Sequence, residues 1–91
     1  MIDAVTVIAE FLGTLLLVLS VLASGGNAFV IGATLAVIVL LTGKISGGQV
    51  NPGISAAMYM KGSLSFSELV VYVTAQVLGG ISSLYVYRAF S

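Results

Sequence analysis

The chain contains no cysteine and no histidine. The first absence excludes disulfides and thiol chemistry. Together they remove nearly every transition-metal site and the Ser-His and Cys-His nucleophile pairs. No metal, no other cofactor and no enzymatic activity are expected. Charge is scarce too. Of 91 residues only Asp3, Glu10, Lys44, Lys61, Glu68 and Arg88 are charged, and they sum to zero. No basic patch is available to neutralise phosphates, so nucleic acid is not an expected partner. Tryptophan is missing, and the one proline is Pro52. Basic residues are also missing ahead of the first apolar run, which opens Met-Ile-Asp. A secretory signal would want them there, so that run reads as a retained span.

What remains is apolar. Hydrophobic residues make up 59% of the chain and the mean hydropathy is +1.22, against about 45–50% apolar residues in ordinary soluble domains. The composition predicts an all-α, multi-pass integral membrane protein whose solvent is the lipid bilayer. A first span is expected over residues 4–23, about 30 Å at 1.5 Å rise per residue, one hydrocarbon thickness. Ser24-Gly25-Gly26-Asn27 is a turn signal. A second, shorter span follows over 28–43, about 24 Å long. Residues 44–51 form a glycine-rich polar loop. Asn51 and Pro52 then have the form of a helix start, since Asn is a favoured N-cap and Pro suits the first helical position. The apolar run 52–60 is only about 13 Å long, so it dips in and returns, or lies on the surface. Ser67 is the expected cap of the last span, over 67–88, with Glu68 favourably placed in its first turn. The expected fold is three transmembrane helices plus one re-entrant half-helix, as a single unit over residues 1–91.

The segment Ser46-Gly47-Gly48-Gln49-Val50-Asn51-Pro52-Gly53 carries the chemistry. Irregular backbone at membrane depth survives only where protein or a watery cavity covers it. Broken helices of this kind mark substrate sites in channels and transporters. The half-helix N-terminus offers unpaired N–H groups and a partial positive charge. Ser46 to Gln49 are expected to be extended, their carbonyls facing a pore with Gly47 and Gly48 leaving room. Asn51 adds NH₂ donors. Carbonyls leading to convergent donors suit a small neutral hydrogen-bonding solute, whereas the positive helix end repels cations and protons.

Three motifs then resemble one family. Ala9-Glu10-Phe11-Leu12-Gly13-Thr14 is similar to the first-helix signature of aquaporins and glycerol facilitators. Residues 43–53 resemble their first pore loop, and Ala75-Gln76-Val77-Leu78-Gly79-Gly80 their third helix. The matches lie in order, at fitting spacing, and cover nearly the whole chain. Family members carry two such halves, inverted, in one polypeptide; this sequence supplies one. The resemblance implies that Glu10 is a buried strut accepting hydrogen bonds from the loop, that Gln76 braces the same loop, and that Ser46 and Pro52 support it. Solute contact falls to Asn51, Gly47, Gly48 and Gln49. Gly13, Gly32, Gly79 and Gly80 are read as helix crossings, the four tyrosines as interface anchors or packing, and Lys44, Lys61 and Arg88 as solvated ends.

The sequence also departs from the family. Its Asn-Pro-Ala is Asn51-Pro52-Gly53 here, which weakens the first helical turn by up to about 1 kcal/mol. Gln49 replaces a common histidine and cannot titrate. Ile54 stands where the family's filter arginine follows the second motif, and Ile31, before Gly32, where a filter aromatic stands. An aliphatic filter leaves water and glycerol both open as solutes.

A half-helix needs a counterpart, so an antiparallel homodimer forming one pore is expected, with tetramers of such dimers as family tetramers suggest. Lys44 and Lys61 on one side against Arg88 on the other is a weak positive-inside bias, compatible with dual topology. Two other readings stand beside the channel. One is a small dual-topology proton-coupled transporter using Glu10, which wants four full spans. The other is a non-transporting structural or truncated membrane subunit.

Overall fold

The first helix begins where Asp3 can cap it. The Asp3 carboxylate accepts from the Thr6 N–H and hydroxyl, both at 2.9 Å, and the Thr6 backbone N–H holds that carboxyl below its ordinary value. The computed structural model describes residues 2–91. It contains four helices: α1 (Ala4–Ser24), α2 (Ala28–Thr42), α3 (Pro52–Lys61) and α4 (Phe66–Phe90). Gly25 ends α1 in the left-handed conformation, and the Asn27 side chain caps α2 by accepting from Phe29 and Val30 N–H. Gly62 closes α3, and Ser63 N–H also reaches the Met58 carbonyl. The Tyr59 and Phe66 rings then meet edge to face at 5.9 Å, fixing the end of α3 to the start of α4.

The cap of α4 corrects the sequence expectation. Ser65, not Ser67, holds the N-cap: its hydroxyl accepts from Glu68 N–H at 3.1 Å, and Glu68 returns a bond to Ser65 N–H at 2.8 Å. This capping box needs its partners three positions apart, a spacing that Ser67 and Glu68 lack. The helix therefore starts at Phe66.

Direction follows from which ends meet. Val5 and Ile8, early on α1, line a hollow with Leu41 and Ile45, while Leu16 lines one with Ala33 and Thr34. So α1 and α2 are antiparallel. Ile2 lies by Ser65 and Glu68, Phe11 by Ala75 and Leu78, and Ala23 by Val86 and Phe90. So α1 and α4 are parallel, and they form the main packing pair. Gly79 makes their approach possible, because a Cβ there would run into the Phe11 carbonyl. Gly32 is different from that expectation: nothing lies within 4 Å of where its Cβ would be, so it marks no crossing within this chain.

The interior is polar and the outside apolar. Among the described residues the buried set holds Glu10, Thr14, Ser20, Ser46, Gln49, Ser55, Gln76 and Ser83 but only five apolar residues. Large apolar side chains such as Phe29, Leu40, Met60 and Ile81 stand exposed on every helix. Water would reject that surface and lipid accepts it. The helices α1 and α4 are long and apolar enough to cross a membrane, with only 22% and 28% of their apolar windows buried in the chain. The apolar α2 has 15 residues, about 22 Å against a hydrocarbon core of about 30 Å.

Candidate functional site

Between α2 and α3 the chain makes a tight polar knot. Ile45 and Ser46 N–H still bond the Thr42 carbonyl, and Gly47 N–H bonds the Gly43 carbonyl. Then Gly47 and Gly48 take φ of 89° and 59°, the left-handed region in which glycine meets no Cβ penalty. At Gly48 the backbone is also pressed onto α2, where a Cβ would lie 3.2 Å from Val39 Cα. The loop is therefore coiled rather than extended, which corrects the expectation for Ser46 to Gln49. Nor is the Ser46 carbonyl free, since the buried Tyr72 hydroxyl donates to it at 2.7 Å.

Glu10 sits at the centre of the knot with none of its surface exposed. Its Oε2 accepts from Ser46 Oγ at 2.6 Å and Gln49 N–H at 3.1 Å. Its Oε1 accepts from Val50 N–H at 2.8 Å and Gln76 Nε2 at 2.9 Å. A carboxylate has about four lone-pair sites, and all are used. Gln76 Nε2 also donates to Ser55 Oγ at 2.8 Å, and Ser55 donates to Gln49 Oε1 at 2.6 Å. One hydrogen-bonded circuit thus joins α1, the loop, α3 and α4. In a low-dielectric interior such bonds reinforce one another, and the one circuit atom left without a partner is Gln76 Oε1.

This bracing places Asn51. The Val50 side chain beside it touches the Gly13 position of α1. Gly13 lies nine residues into a 21-residue helix, about 14 Å along it, so α3 starts level with the middle of α1. Asn51 is exposed and extended, with φ −155°. Its Oδ1 accepts from Gly53 N–H at 2.7 Å, a cap bond that does not use the NH₂ donors. Pro52 follows at the first helical position. A Cβ on Gly53 would stand 3.0 Å from Asn51 Oδ1, so glycine gives this cap room that alanine would take.

The other expected residues are less convergent. Gln49 is 8% exposed and engaged by Ser55, Gly48 is buried and Gly47 exposed. Ile54 is 41% exposed on α3, and Ile31 is half-buried on α2. The helices α2 and α3 do not pack together among the described residues, so one chain does not bring Ile31 and Ile54 together. Lys44, Lys61 and Arg88 are all exposed. Two members of the knot escape notice in the sequence. Ser55 is the polar residue inside the apolar half-helix. Tyr72 precedes Gln76 by four residues, hence shares its helix face, yet by composition it joins the interface anchors.

The major intrinsic protein family model matches residues 3–91. The aquaglyceroporin AqpS of Rhizobium meliloti is 36% identical over 90 residues, covering 82% of this chain and 39% of that protein. The lens fiber major intrinsic protein of Gallus gallus is 33% identical over 87 residues, covering 84% of this chain and 33% of its own length. A probable aquaporin of Oryza sativa subsp. japonica is 42% identical over 57 residues, covering 63% of this chain and 20% of its own. The chain thus spans well under half the length of these relatives. No solved structure matches it. A family match over almost every residue, carried by a chain that is apolar outside and braced around a buried glutamate, makes this an integral membrane protein that belongs to the major intrinsic protein family, a family of channels rather than enzymes.

Proposed function

We propose that this chain is one half of a passive channel for water or small neutral solutes such as glycerol, and that a second, oppositely inserted copy supplies the other half. The observation that carries the reading is the start of α3. Asn51 stands exposed level with the middle of α1, on a braced loop, with its NH₂ donors unengaged by its own cap. A solute hydroxyl or water oxygen accepts there, and the positive end of α3 disfavours cations. The family match and the similarity to a protein named as an aquaglyceroporin support the solute class.

In this reading α2 is a third span, tilted or locally thinning the bilayer to cover its length. Among the described residues, the one helix that the half-helix α3 packs on is α4. Its Ile54, Ala56, Ala57 and Met60 are exposed, and an inverted copy would cover them while bringing a second Asn51 to the first. Lys44 and Lys61 lie toward the end of the bundle where α1 starts, Arg88 toward the other, so charge sets little bias against dual insertion. Ile31 and Ile54 from each copy would make an aliphatic filter, which admits glycerol as readily as it admits water. Tetramers of such dimers complete the proposed assembly. Glu10 speaks against a proton-coupled exchanger: it is fully buried, and four donors already occupy it.

The test is osmotic relaxation of liposomes holding the purified protein. Water and glycerol relaxation should be fast without a pH gradient, and Asn51→Ala should return both to the rate of empty liposomes. Wild-type protein that leaves the rate of empty liposomes unchanged would sink the proposal.

A further inference from the structure

Val50, immediately before Asn51, is the one non-glycine residue among those described with a positive φ, at 44°. A β-branched residue there is strained, and such strain persists only where surrounding contacts over-determine it. Two contacts do so. The Val50 N–H donates to Glu10 Oε1 at 2.8 Å. The Val50 side chain, 2% exposed, enters a notch on α1 that exists because residue 13 is glycine. A Cβ on residue 13 would stand 2.7 Å from Val50 Cγ1 and 3.1 Å from Ile38 Cγ2. Neither neighbour yields easily. Val50 is stiff at χ1 and pinned through its amide; Ile38 is itself buried. Gly79 meets backbone of another helix, whereas the nearest atoms at Gly13 are these two side chains. Gly13 thus does more than let α1 and α2 approach, because its nearest neighbour is the loop residue Val50.

We propose that Gly13 is a positioning residue: its notch seats Val50 and so sets the depth and orientation of Asn51, an inference that rests on the channel reading for its functional half. A methyl group at residue 13 displaces Val50, lengthens its bond to Glu10 and carries Asn51 away from its place. The displaced group is one residue from the donor, so a small shift reaches it undiminished.

The experiment compares wild type, Gly13→Ala, Val50→Ala and the double variant. Two readouts are taken: osmotic relaxation per reconstituted protein, and hydrogen exchange of detergent-solubilised protein in peptides covering the loop, α1 and α4. Gly13→Ala should slow relaxation several-fold and raise exchange in the loop, with α1 and α4 keeping their protection. Adding Val50→Ala, which removes the methyl group the new Cβ strikes, should bring relaxation and loop exchange back to the level of Val50→Ala alone. A Gly13→Ala variant equal to wild type, or a double variant with the loop no better protected than in Gly13→Ala, overturns the proposal. Should Gly13→Ala fail to fold, Val50→Gly decides. It relieves the strained φ yet empties the notch, so loop exchange should rise; unchanged loop protection rejects the notch. If wild type conducts nothing while the exchange pattern holds, the channel reading fails and the notch stands.

Discussion

Glu10 is where α1, the loop and α4 converge, and its replacement should be the most damaging single change of charge. Glu10→Gln leaves one acceptor oxygen and turns an NH₂ group on two of the donors Ser46, Gln49, Val50 and Gln76. The expected loss is about 3 kcal/mol of stability, because buried donors are left facing a donor. Denaturant or thermal unfolding in micelles measures it. Replacing the exposed Lys44 should stay within about 0.5 kcal/mol. The importance of Glu10 is legible in the sequence: an acid inside an apolar run, with the bases confined to Lys44, Lys61 and the span-end Arg88, must find hydrogen-bond donors. Gln76 is legible for the same reason. Ser55 and Tyr72 are not, because their partners lie on a loop whose path depends on left-handed Gly47 and Gly48. A polar residue's burial can be read from sequence; the atom it faces depends on where the chain turns.

The ends of the helices divide in the same way. Caps formed by neighbours in sequence are readable, and Asn51 and Pro52 stand where their types suggest. The start of α4 was readable too, by the stricter rule. Ser65-Phe66-Ser67-Glu68 offers two serines, and only the first lies three residues before the glutamate. Ser65→Ala should therefore cost about 1 kcal/mol, and Ser67→Ala at most a few tenths, since Ser67 reaches only the Ser65 hydroxyl. Parallel unfolding curves of the two variants check this; equal losses would contradict the assignment. The loop is the element sequence misjudges. A polar, glycine-rich stretch reads as open and extended, but the chain can bury it only by closing its hydrogen bonds internally. Glu10 and Tyr72 supply that closure.

Considered as one body, the chain pairs most of its polar groups inside, Thr14 Oγ1 and Gln76 Oε1 being left without a partner, and leaves apolar surface outside, which composition alone already indicates. The packing order is less accessible: nothing in the apolar runs says that α1 pairs chiefly with α4, or that Gly32 faces open space while Gly79 meets a carbonyl. If two inverted copies form the pore, a head-to-tail fusion of two copies through a short flexible linker should relax liposomes as fast, per pair of units, as the separate chains. Inserting one extra apolar span between the copies should abolish that, because it turns the second unit upright; undiminished relaxation there would contradict the inverted arrangement. The reason lies in the parallel course of α1 and α4, which leaves Asp3 and Ser91 at opposite ends of the bundle. In the proposed three-span reading the unit has odd parity. Simple duplication in tandem would deliver the second copy already inverted, with no change to its charges and no signal to redirect it.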